Sequence, residues 1–344
     1  MLAELAQDLR ATLGILHKQD IQTAANAIGR TVSSTEGYPI RLGDDCAAIP
    51  DGNGFVLLAA EGMLPQLVER SPWFAGWCAV MVNISDIAAM GGEPTAVVDA
   101  LWSRSVEESG PLWEGMTAAV KAYGVPIVGG HTNCHSPYAG LSVAILGRAK
   151  RLISSFDAQP GDALIMVMDM AGEYFQDYSF WNAATMAEPE KLRSQLKRLP
   201  QLSEAGLVSA GKDISMGGIA GTLLMLAEAS QCGAILNIDK IPRPPNTAWK
   251  KWLTSFPSFG FLFSVPPQNV IAVKEIFLTD SLTCEVIGEI TNGRDVLLSQ
   301  QHAPQTAPQT VSQTSSQIGS QIGQPVQAKL WDLSQPLTGF SAVV

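Results

Sequence analysis

A chain of 344 residues is long enough for two domains of ordinary size. Hydrophobic residues make up 46% and charged residues 16%, enough to bury a large core, which excludes global disorder. The formal net charge of -10 excludes a duplex nucleic-acid binder, whose affinity rests on neutralising phosphates; nucleotide binding stays open, because metal ions bridge acidic side chains to phosphates.

Residues 2–30 read as one or two amphipathic helices ending near Gly29, without the basic-then-apolar order of a signal peptide. The apolar run 55–60 reads as a buried strand. Small and apolar residues at helical spacing from 73 to 90 stop at Gly91-Gly92-Glu93-Pro94. A strand over 95–102 and a helix over 109–123, closed by Gly124, follow. A short strand end at 126–129 opens into Gly129-Gly130-His131-Thr132, and 141–149 is another strand. Alternating strands and helices predict mixed α/β layers.

A boundary is expected at 154–160, separating a domain of residues 1–152 from one of residues 153–344. The second half opens with a buried-strand pattern at 163–168. A helical stretch at 188–210 is broken by Pro200, and a helix over 219–230 ends at Gln231-Cys232-Gly233. Strands are expected at 259–265 and 284–290. Residues 299–325, rich in Gln, Ser and Thr, cannot bury enough to offset their ordering entropy and read as a mobile loop. Leu330-Trp331-Asp332-Leu333 is expected to pack back on the second domain. Five scattered cysteines without a C-x-x-C pair fit reduced thiols in a cytoplasmic protein. No apolar run reaches the roughly 18 residues of a membrane span.

The chemistry-bearing residues fall in four places. Gly43-Asp44-Asp45 offers adjacent carboxylates to a hard cation such as Mg²⁺, or is a solvated turn. Asp86 sits in a run of small and apolar residues, where a charge must be paired, metal-bound or locally hydrogen-bonded. The pair Gly129-Gly130, followed by His131 and Thr132, lets backbone approach a phosphate; with Cys134 and His135 the same stretch could instead hold a transition metal, though the spacing matches no structural zinc pattern. Finally, Lys212, Asp213, Ser215, Gly217 and Gly218 lead into a helix whose N-terminus suits an anion, with Ser215 as an ordinary cap as the plainer reading. The order of a Walker A loop is absent.

Taken in order, Gly-Asp-Asp-Cys-Ala, Asn-Ile-Ser-Asp-Ile-Ala-Ala-Met-Gly-Gly, Gly-Gly-His-Thr and Lys-Asp-Ile-Ser-Met-Gly-Gly resemble the AIR synthase-like superfamily. That superfamily includes AIR synthase, thiamine-monophosphate kinase, selenophosphate synthetase and a hydrogenase maturation protein. The detail over 212–230 and at Phe256-Pro-Ser-Phe-Gly-Phe looks most like an AIR synthase-related branch. The resemblance implies an α/β (α+β) fold of two domains, the N-terminal one forming a β-barrel between the subunits of a homodimer. It implies Mg²⁺ and ATP, with Asp44, Asp45, Asp86 and Asp213 as metal ligands and Glu61 in a position where the kinase has Asp. Ser215, Gly217, Gly218, Gly129, Gly130 and Thr132 would contact the nucleotide, and Lys212 and His131 would act on the transferring group.

Departures from the family patterns narrow the substrate. His131 replaces the kinase's Asp, Met216 stands where the kinase has a second Asp, and Pro257-Ser-Phe-Gly-Phe replaces its acidic substrate motif. The expected function is ATP- and Mg-dependent phosphoryl transfer to the oxygen of a small-molecule amide or carboxylate, as in a synthase or ligase. The alternatives are a kinase with a stable product and a non-catalytic nucleotide- or metal-binding protein.

Overall fold

The computed structural model describes residues 1–32, 40–208, 210–278, 281–301 and 325–340, with the side chains of 29–32 outside the description. Two helices lead the chain, α1 (Leu2–Arg10) and α2 (Leu13–Val32). They are followed by β1 (Ala47–Asp51), β2 (Gly54–Gly62), α3 (Pro65–Arg70), α4 (Pro72–Ala89), β3 (Glu93–Trp102), α5 (Val106–Tyr123), β4 (Ile127–Asn133) and β5 (Gly140–Ala149). The five strands form one sheet in the order β1-β2-β5-β3-β4, in which only the β3–β4 pairing is parallel.

That sheet is covered on one face. Along β5, Leu141, Val143 and Ile145 are buried, Ser142 and Ala144 between them are half-buried, and Leu146 and Arg148 beyond them are exposed. The period of two assigns the buried set to the helix side. Helix α4 is apolar on nearly every side, with buried residues from Phe74 to Ala89, so it forms the spine of the molecule rather than a surface helix. Most of it packs in the first core, while Ala88 and Ala89 reach the core of the second half.

The second half contains β6 (Ala163–Met168), β7 (Glu173–Tyr174), β8 (Phe180–Asn182), α6 (Pro189–Leu196), α7 (Arg198–Glu204), β9 (Ala210–Asp213), α8 (Gly218–Ala229) and β10 (Gly233–Asn237). After these come α9 (Trp249–Leu253), β11 (Phe256–Pro257), β12 (Gly260–Val265), α10 (Val270–Leu278), β13 (Thr283–Thr291), β14 (Asp295–Gln300) and β15 (Val326–Asp332). The main sheet has seven strands in the order β15-β14-β10-β13-β6-β12-β9, and β11-β8-β7 form a small separate sheet. Both faces of the seven-stranded sheet are dry. Leu164, Met166 and Met168 point into one core and Ile165 and Val167 into another, which is why 163–168 reads as an unbroken apolar run.

Several expectations change in detail. The helical stretch from 188 breaks at Lys197, not Pro200: Pro200 lies in the first turn of α7, where its missing N–H has no intrahelical partner to lose. The stretch also ends before 210, because Ala210–Asp213 is a sheet strand. Residues 129–132 belong to β4 and are not a loop. Ser299 and Gln300 complete β14, and most of the low-complexity stretch, 302–324, lies outside the described residues. Leu330 and Leu333 do pack into the second half's core. Leu2, Ala6, Leu9 and Ile15 of the leading helices join that same core, so α1 and the start of α2 pack with the second sheet.

Candidate functional site

A cavity of about 310 Å³ lies where the two halves meet, lined by α2, the loop before β1, α4, β9 and the segment around Phe340. Its acidic end collects Asp44, Asp45, Glu61, Asp86 and Asp213, together with Lys212 and Lys18. Residues from remote parts of the chain are thus assembled as the ordered motifs imply.

Asp44 and Asp45 are not a solvated turn. The Asp44 carboxylate accepts hydrogen bonds from the Ser155 N–H at 3.1 and 3.2 Å and from the Ser155 hydroxyl. Asp45 accepts from the Lys212 ammonium and, at 3.4 Å, from the Asp213 N–H. Lys212 also donates to Ser155 Oγ at 3.2 Å. Ser155 follows β5, so one small network ties the first sheet's flanking loops to strand β9.

The electrostatics are those of crowded carboxylates. Burial, and then the Asp45 charge, push the Asp213 carboxyl up to about 8. Burial followed by the charges of Asp213, Glu61 and Asp45 raises Asp86 well above the carboxylate range. Burial likewise raises Asp44 and Glu61. For Lys212, burial disfavours the ammonium, but Asp45, Asp44 and Asp213 outweigh it and its pKa rises. Burial lowers Lys18, opposed by Asp213. Lys18 comes from α2 and donates to Ser215 Oγ at 3.4 Å.

A divalent oxygen-seeking cation fits this donor set. Asp86 Oδ2 is buried without a hydrogen-bond partner, an arrangement that leaves either a neutral acid or a ligand in want of a cation. Among the described residues no three His, Cys, Asp or Glu side chains stand close enough to form a complete metal cage. Mg²⁺ needs no such cage, since it is held by one or two carboxylates with water and substrate phosphates. The same absence holds for His131, Cys134 and His135, whose transition-metal reading has no support in the geometry.

Other expected contacts are placed elsewhere. Ser215 and Met216 line the cavity, but Gly217 and Gly218 do not. Gly218 has φ +63, and a Cβ there would overlap the Thr254 backbone; its N–H donates to Ser215 O at 2.7 Å and is not free for a phosphate. Gly129, Gly130, His131 and Thr132 lie exposed on the edge strand β4, outside the cavity of this chain. His131 stands 6.0 Å from the Trp102 ring.

Sequence reasoning missed Lys18, Ser155 and Phe340. Lys18 and Ser155 sit in no motif. Phe340 presses on Gly43, whose φ of +103 suits glycine and whose added Cβ would come within 2.7 Å of Phe340 Cβ. Glu228, buried on α8, holds that segment in place by accepting from the N–H groups of Leu337 at 2.6 Å and Thr338 at 2.8 Å.

Residues 43–149 match the family described as AIR synthase related protein, N-terminal domain, and residues 159–299 match AIR synthase related protein, C-terminal domain. An uncharacterized protein of Synechocystis sp. is 52% identical over 343 residues, 99% of each chain. The thiamine-monophosphate kinase of Synechococcus elongatus is 28% identical over 279 residues, covering 72% of this chain and 83% of the kinase. T. maritima PurL complexed with ADP has the same fold, with a TM-score of 0.66 at 19% identity over 85% of this chain and 50% of PurL; the chain thus spans half of PurL's length. With both domain descriptions matched in order across the two halves, this chain belongs to the AIR synthase related family and has its two-domain α/β fold.

Proposed function

We propose that the cavity binds Mg-ATP and transfers its γ-phosphoryl group to the oxygen of a small-molecule amide or carboxylate, as a synthase or ligase does. The observation that carries this is the placing of two lysines, the buried Lys212 and the half-buried Lys18, among five carboxylates at one end of the cavity. The ADP in T. maritima PurL and the kinase relative agree with it. One or two of Asp86, Asp213, Asp44 and Glu61 would hold Mg²⁺, which when bound neutralises charge on the β- and γ-phosphates.

The protein's own part is positioning and electrostatics. Lys212, fixed by Asp45 and Ser155, directs a permanent positive charge at the transferring group. Lys18 brings a second from α2. The acceptor oxygen forms a bond to the γ-phosphorus as the bond to the bridging oxygen breaks, and its electron pair leaves with ADP. An amide acceptor loses its N–H proton to solvent, and an amine then displaces phosphate from the activated carbon. Release of free phosphate separates this course from the second reading, a kinase whose product keeps the phosphoryl group; the Synechococcus kinase favours that second reading.

A homodimer belongs to this proposal. Leu58, Val98 and Leu146 share the sheet face opposite α4 and are 46%, 41% and 38% exposed. Pairing that face with a second copy would cover it and bring the exposed 129–132 segment, with His131, against the partner. Calorimetry with Mg-AMPPCP, together with ADP release, tests the function. Binding that Asp86→Asn and Asp44→Asn leave intact would remove the assignment.

A further inference from the structure

Lys212 and Lys18 are held differently. Lys212 is fixed between Asp45 and Ser155, whereas among the described residues the Lys18 ammonium has one hydrogen-bond partner, Ser215 Oγ at 3.4 Å. An ammonium has three donors, so the remaining N–H groups of Lys18 stay open to a ligand in the cavity it lines. The helix that carries Lys18 decides where this ammonium sits, and α2 lies ahead of residue 43, where the first family match begins.

Gly14, Lys18 and Gln22 are spaced i, i+4, i+8 and share one face of α2, each about 6 Å from the next along the axis. Gly14 sets the height of that face. A Cβ on Gly14 would stand 2.4 Å from Met216 O, and one on Gly217 would stand 3.4 Å from Gly14 O, so α2 lies backbone to backbone on the loop that carries Ser215. Ile15, fully buried in the second half's core beside Gly221, fixes the roll of the helix. One turn beyond Lys18, the Gln22 amide donates to Pro336 O at 2.9 Å and to Leu337 O at 3.0 Å. The segment that Glu228 clamps from α8 is thus tied to α2 as well.

This bracket leaves little slack. An alanine at 14 would put its methyl carbon against backbone that cannot swing aside; ordinary contact needs about 3.5 Å, so α2 must lift by about 1 Å. Lys18 already meets Ser215 at the long limit of a hydrogen bond, and a lift of that size takes the ammonium out of reach.

Resting on the function proposed above, we propose that Gly14 and Gln22 are positioning residues, which hold α2 at the height where the Lys18 ammonium meets the γ-phosphoryl group. Neither touches the nucleotide. Both act through Lys18, Gly14 by letting the helix come close and Gln22 by tying its far side to the C-terminal segment.

The test is calorimetry on the full chain with Mg-ADP and Mg-AMPPCP, which differ in the γ-phosphoryl position. A wild type that binds neither ends the ATP reading and this proposal with it. Lys18→Met should weaken Mg-AMPPCP about tenfold or more and leave Mg-ADP within about twofold, and Gly14→Ala should reproduce that selective loss, as misplacement of a group by about 1 Å does. In the Lys18→Met background Gly14→Ala should add nothing, because no charge is left to position. Gln22→Leu sets no new atom against backbone and serves if Gly14→Ala does not fold; it should give the same selective loss at about threefold. Normal wild-type binding of both nucleotides overturns the positioning role, and leaves the ATP reading standing, if the position variants weaken ADP as much as AMPPCP, change neither, or add a further loss without Lys18.

Discussion

The Lys212 ammonium on β9 is ion-paired with the Asp45 carboxylate on the loop before β1, and the two side chains are only 2% and 5% exposed. The pair couples an edge strand of the seven-stranded sheet to the entrance of the first sheet. Removing one partner leaves a buried, uncompensated charge. Lys212→Met should therefore destabilise the protein by about 3–5 kcal/mol in denaturant unfolding. The double variant Asp45→Asn with Lys212→Met should recover much of that loss yet bind no Mg-AMPPCP. Retained nucleotide affinity in the double variant would show that the pair is architectural alone.

The raised Asp213 carboxyl sets a pH dependence. On folding it moves from 3.8 to about 8, driven by burial and then by Asp45. Between those values the folded chain holds a proton that the unfolded chain has lost. Its contribution to stability is therefore complete below the lower value and is lost as pH rises toward the upper one. Without metal, thermal stability should fall from about pH 5 to pH 8 more steeply than in Asp213→Asn. Added Mg²⁺ should restore the wild type at the upper end of that range, where the carboxyl is free to ionise. Parallel unfolding curves for the two proteins would refute the placement of this charge.

Glu228 controls the segment that brings Phe340 to the cavity. Its carboxylate also accepts from Thr338 Oγ1 at 2.6 Å and from the Gly339 N–H at 3.4 Å. Glu228→Ala leaves these donors without their acceptor and should cost about 3 kcal/mol. It should also weaken Mg-AMPPCP, since Phe340 packs on Gly43 next to Asp44. A limited-proteolysis comparison should show earlier cleavage near the C-terminal end in the variant. Unchanged cleavage and affinity would mean that the clamp is dispensable.

The apolar face of the first sheet predicts the oligomeric state. Leu146→Lys or Val98→Asp should shift the protein from dimer to monomer in sedimentation velocity, with its helical circular dichroism retained. A wild type that sediments as a monomer at micromolar concentration would dismiss the assembly.

Much of the site was legible because its residues lie in short ordered motifs. Asp44, Asp45, Asp86, Lys212, Asp213 and Ser215 are all brought to one cavity. What motifs could not show is which neighbouring atoms are already occupied. Gly217 and Gly218 read as a phosphate cradle, but neither lines the cavity, and Gly218 is packed against Thr254 with its N–H bonded to Ser215 O. Residues 129–132 read as a loop opening, yet ladder pairing with β3 extends them as an edge strand. Glycine pairs serve close approach of backbone to backbone as well as to phosphate, and local sequence does not distinguish the two.

By itself the sequence determined the alternation of elements, because hydrophobic period and chain punctuation are local properties. It determined, too, that carboxylates would be plentiful near a glycine-rich helix start. Only the tertiary structure decided that α1 and α2 pack with the second sheet, carrying Lys18 into the site from outside every motif. It alone set Phe74, Phe180 and Phe256 around one end of the cavity and the acids at the other. Such placements depend on contacts between residues far apart in the chain, whose partners are chosen by packing and burial rather than by neighbours in sequence.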